Sequence, residues 1–193
     1  MVTHKINHKN IYYPPGGILI WIIIFLELIT FGIALIAMVY YGKQLPELFH
    51  DSSQQLNIVF GTINTFFLIT SGYFMSLSVH QIKVGKSIES LKFLNLRMLG
   101  GLLFLVLKSI EYYLKIEAGF TLGYNTFFDF YWLLTLFHVI HVIVGLVILL
   151  FSYSAIKKKG PNINIEDFEA SAAFWHMCDL IWLLIFPVIY LLF

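Results

Sequence analysis

Three pairs of ionisable residues recur at the spacing i, i+3: Lys108 and Glu111 in "LVLKSIEYY", His138 and His141 in "LTLFHVIHVIVG", and His176 and Asp179 in "FWHMCDLIW". A seventh group, Glu27, stands alone in "IFLELITFG". On a helix, residues three apart share one face, so each pair points in one direction. All seven lie within apolar runs, where an ionisable side chain is expensive and is turned away from lipid.

Three kinds of chemistry are open to such residues. Opposite charges such as Lys108 and Glu111 can neutralise each other and fix how helices pack. That role alone is weak, because a polar contact between membrane helices averages only about 0.6 kcal/mol. Histidines can ligate heme or a metal. Two histidines three apart on one helix cannot take opposite faces of one heme, and zinc or copper needs three or four converging ligands. Only His138, His141 and His176 are available in helices. Carboxylates and imidazoles in a low-dielectric setting can also hold or relay protons, or meet lipid headgroups. Glu27, Glu111 and Asp179 are the candidates.

The elements that position these groups follow from composition. The 193 residues are 59% hydrophobic and only 12% charged, with a mean hydropathy of +0.82. A soluble domain does not have this balance. Five apolar runs span roughly 18–41, 58–79, 94–116, 127–153 and 170–192. Each is near the ~20 residues that cross a bilayer as a helix, and lipid leaves the backbone of such runs no alternative. The expectation is an all-α integral membrane bundle of five transmembrane helices forming one domain. The first run is too long for a cleaved signal peptide and is expected to be retained. The second, "GTINTFFLITSGYFMSLS", carries small and hydroxyl residues and no charge, which suits a central packing helix.

Tyr12 and Tyr13, Tyr40 and Tyr41, Tyr112 and Tyr113, and Phe174 and Trp175 fall near run ends, as in an interfacial aromatic belt. Lys5, Lys9, Lys83, Lys86, Lys92, Arg97, Lys157, Lys158 and Lys159 fall on one side, against Lys43 and Lys115 on the other. By the positive-inside rule the N-terminus is cytoplasmic and the C-terminus outside. A net charge of +1 gives no basic surface for nucleic acid, and the lone Cys178 can form no intrachain disulfide.

Four segments in order resemble subunit III of heme-copper oxidases. "FWHMCDLIWLLIFPVIYLL" is similar to the family's closing helix, and "FYWLLTLFHVIHVIVGLVIL" to the helix before it. "FLVLKSIEYY" resembles its Glu-Tyr helix, and "WIIIFLELITFG" the helix with a buried glutamate. Five helices resemble the short forms found in bacterial quinol oxidases and beside nitric oxide reductase. "PGG", "NTFFDFYWLLTLFH" and "WHMCDLIWLLIFPVIY" look most like the latter branch. Gly17, where an acidic residue is expected, and Cys178, where an aliphatic is usual, depart from that pattern.

The resemblance implies a non-catalytic accessory subunit of a bacterial inner-membrane respiratory oxidase or nitric oxide reductase. It implies no cofactor and no metal in this chain. Heme with copper or iron is expected in the partner subunit I, with subunit II and bound phospholipid as further partners. Glu27 takes the place of the family's buried carboxylate. Glu111, His138, His141, His176 and Asp179 fall on its other polar positions, linked to protons or lipid. Two other readings of the residues are a heme- or quinone-binding anchor of another oxidoreductase and a small proton-coupled transporter.

Overall fold

The computed structural model describes residue 14 and residues 16–193. Tyr12, Tyr13, Lys5 and Lys9 lie outside the described residues. Six α-helices follow one another: α1 (Ile18–Gln44), α2 (Pro46–Gln54), α3 (Ile58–Lys83), α4 (Ser87–Glu117), α5 (Thr126–Lys159) and α6 (Ile165–Tyr190). A single 3₁₀ turn, Gly160–Asn162, joins the last two. No strand occurs among the described residues. Five of the helices are long and apolar enough to cross a membrane, all but the short α2.

The starts and stops are written in polar residues at the run ends. Asn57, Asn125 and Asn164 cap α3, α5 and α6, each side-chain oxygen accepting a backbone N–H of the first turn. Such caps satisfy donors that the helix itself leaves open. Gly85, with φ of 81°, turns the chain between α3 and α4, a conformation that only glycine adopts freely. The helix expected over 94–116 starts earlier, at Ser87. Lys92 and Arg97 are therefore helical, not in a loop, and Arg97 is fully buried.

The centre of the bundle is α6, not the helix of small residues. Its buried face includes Trp175, Cys178, Asp179, Trp182 and Ile185, and it packs on α1, α3 and α5. The small residues of α3 instead let it pack tightly along α4. Ser71 Oγ donates to the Arg97 carbonyl at 3.0 Å, and Ser78 and Ser90 exchange bonds at 2.9 Å. Trp175 is held between two glycines. A Cβ on Gly101 of α4 would come 2.7 Å from its ring, and one on Gly145 of α5 would come 2.9 Å from it. Phe174 and Trp175 are thus core residues rather than members of an interfacial belt. Tyr113 is exposed, whereas Tyr112 is half-buried against Trp132.

Candidate functional site

The buried stripe of α4 reads Ser90, Leu94, Arg97, Gly101, Phe104, Lys108, Glu111. The steps of three and four residues hold one face inward. That face carries three charged groups the membrane must accommodate, and the structure partners Arg97 differently from Lys108 and Glu111.

Lys108 and Glu111 sit in a closed network. Lys108 Nζ donates to Glu111 Oε2 at 3.1 Å, to the Tyr190 hydroxyl at 2.8 Å and to the Tyr131 hydroxyl at 3.4 Å. Glu111 Oε1 accepts from Tyr131 at 2.9 Å and from Tyr190 at 2.6 Å. The three ammonium protons and both carboxylate oxygens are therefore partnered. The rings of Tyr112 and Trp182 lie 5.1 Å and 5.4 Å from Nζ, within cation–π range. This knot ties α4, α5 and α6 together. Sequence reasoning foresaw the Lys–Glu contact. It did not foresee the two tyrosines, which come from helices far away in the chain.

Glu27 and His141 form a second site, between α1 and α5. His141 Nε2 lies 3.2 Å from Glu27 Oε2. Its Nδ1 is 2.7 Å from the Phe137 carbonyl, an acceptor, so Nδ1 carries a proton. Nε2 bears a second proton only if the ring is cationic. The Glu27–His141 contact is an ion-pair approach in which the buried Glu27 Oε2 accepts no hydrogen bond. Glu27 is only half-buried, so this contact lies near the outer surface of α1.

His138 lies between the two sites, one turn from His141 on α5. It is fully buried, and neither ring nitrogen has a partner. Phe31, Phe104 and Trp182 box it in, with ring centroids 6.5 Å, 5.6 Å and 5.3 Å away. Among the described residues no three His, Cys, Asp or Glu side chains converge as a metal would require.

The third pair divides. Asp179 is buried, whereas the His176 side chain is 44% exposed, so the two do not share an inward face. His176 Nδ1 is 3.6 Å from Asp179 Oδ2, an ion-pair contact longer than a hydrogen bond. Asp179 Oδ2 lies close against Gly72 of α3, where a side chain would collide with it. Glu27 lies against His141 rather than against this pair.

Asp179 does lie within electrostatic reach of Arg97. That guanidinium stacks 4.0 Å above the Trp175 ring and points Nη1 at Met75 Sδ at 3.2 Å. Sequence reasoning missed Arg97 by counting it with the cations on one side of the membrane, although it lies inside the run 94–116. The signal was present: counted back from Lys108 in helical steps, Arg97 falls on the same face.

The whole chain, from residue 2 to residue 192, matches the family model of cytochrome c oxidase subunit III. A cytochrome c oxidase subunit 3 of Rhipicephalus sanguineus is 33% identical over 129 residues, covering 66% of this chain and 49% of the relative. That of Paracentrotus lividus is 33% identical over 131 residues, covering 66% and 48%. The matched stretch spans about half the length of these curated relatives. Five membrane-length helices and the match along nearly all of the sequence agree: this is an integral, multi-pass membrane protein that belongs to the cytochrome c oxidase subunit III family.

Proposed function

We propose that this chain is a non-catalytic accessory subunit of a bacterial respiratory heme-copper oxidase, or of a nitric oxide reductase, in the cytoplasmic membrane. The observation that carries the reading is the family match over residues 2–192. The Lys108–Glu111 network supports it as a bracing element across α4, α5 and α6. Heme with copper or iron belongs to the partner subunit I, which assembles with subunit II.

In this reading the Glu27–His141 pair supports proton uptake by the complex from a position near the lipid-facing surface. The N-terminus is cytoplasmic and the C-terminus outside, a placement supported by the lysines that end α3 and α5. Bound phospholipid covers the many apolar side chains that α1 exposes. The partner requirement is tested by tagging the chain and solubilising native membranes in a mild detergent. A heme-bearing subunit is expected to co-purify. A chain that elutes alone in its folded form contradicts the proposal.

A further inference from the structure

The two cations on the inward face of α4 end differently. The protein meets every ammonium proton of Lys108. It does not do so for Arg97, which reaches Met75 of α3 and Trp175 of α6. Arg97 Nη1 points at the Met75 sulfur at 3.2 Å, a weak acceptor. Its Nε and Nη2 are buried and have no hydrogen-bond partner among the described residues.

Two residues of α6 leave complementary atoms beside that guanidinium. The Trp175 ring lies 4.0 Å from Arg97 Cζ, and its Nε1 is buried without a partner. Asp179 lies one turn further along the same helix. Its Oδ2 is turned to Gly72 and to His176, a residue of the cleft between α1 and α3. Its Oδ1 is buried and accepts from nothing. Asp179 lies within electrostatic reach of both Arg97 and Trp175, yet no hydrogen bond closes between them. Three donor nitrogens and one acceptor oxygen, from three touching or neighbouring residues, are thus left over in one cluster.

Buried polar groups are partnered as a rule, and an unpaired charge inside a membrane bundle is costly. The donor and acceptor types choose what completes this cluster. A cation would lie against Arg97. An anion would suit Arg97 and the indole but would lie against the Asp179 carboxylate. A neutral molecule that both accepts and donates meets all four atoms. Water is the smallest such molecule, and a buried water makes about three hydrogen bonds to atoms of this kind. We propose that Arg97, Trp175 and Asp179 form a binding site for an internal water molecule, which accepts from the guanidinium and the indole and donates to Asp179 Oδ1. The water joins two opposite charges on α4 and α6 that do not touch. The site stands apart from which catalytic subunit the chain accompanies.

The test is X-ray radiolytic labelling of the intact mild-detergent complex, read by mass spectrometry. Radicals formed from a bound water oxidise the side chains beside it, and methionine and tryptophan react readily. Met75 and Trp175 are fully buried, so label on them reports water inside the bundle. Both are expected to be labelled. Met38 and Trp182 are equally buried, and the Trp182 N–H is already taken by Thr65, so these two should stay unlabelled. After mixing into heavy-oxygen water, the isotope should reach Trp175 later than the exposed Tyr124. Asp179→Leu, which removes the acceptor, should lose the label; should that variant fail to assemble, the unaltered complex decides alone. Met75 and Trp175 as silent as the controls, all four labelled alike, isotope uptake at Trp175 as fast as at Tyr124, or label that survives Asp179→Leu overturns the proposal. None of these results touches co-purification of the heme-bearing partner, so this site and the accessory role fail separately.

Discussion

The Lys108 knot shows how a buried cation is tolerated inside a membrane bundle. Two opposite charges leave water together, and two tyrosine hydroxyls complete their hydrogen bonds. Removing one member strands the other. Lys108→Met is expected to destabilise the chain by about 3 kcal/mol, the cost of leaving one buried charge uncompensated. Lys108→Met combined with Glu111→Gln should recover much of that loss, because the amide oxygen still accepts from Tyr131 and Tyr190. Thermal unfolding of the two variants in detergent checks this; equal destabilisation by both would mean that charge pairing is not what holds the site. The i, i+3 spacing made the Lys–Glu contact legible in the sequence. The same spacing predicted a shared inward face for His176 and Asp179, and there it failed. Spacing fixes that two residues are neighbours, but not whether the helix edge between them meets protein or a cleft.

At the scale of elements, hydropathy located all five long helices, because in lipid an apolar run of that length has only one way to satisfy its backbone. It placed the start of α4 too late, since the density of apolar residues rises only at Leu94. Arg97, inside that run, was counted with the cations of the membrane face, which hid the charge that lies near Asp179 and Trp175. The central place of α6 was not legible either. It depends on shapes from three other helices, including the glycine faces at Gly101 and Gly145 that admit Trp175. The ends of the helices carry a separate message. Lys83 and Lys86 flank the α3–α4 turn, and Lys157, Lys158 and Lys159 close α5 at the same end of the bundle, exposed. Trypsin is expected to cut at Lys157–Lys159 in inside-out vesicles and to spare them in right-side-out ones. The reverse pattern would invert the proposed orientation.

Across the whole molecule, polar groups are sorted by depth and partner rather than gathered into one centre. The Lys108 knot joins α4, α5 and α6. Glu27 and His141 join α1 to α5 through a 3.2 Å contact. Asp179 and Arg97 lie deep between α6 and α4, with His176 beside them at the cleft. This distribution braces the helices against one another, and in the proposed role the redox chemistry belongs to the partner subunit. The most direct test is an absorbance spectrum, oxidised and dithionite-reduced, of the affinity-purified chain before and after its partners are stripped by a harsher detergent. The account predicts a heme signal that leaves with the partners. A heme that stays at one per chain would make His138, His141 or His176 a ligand and contradict the accessory role.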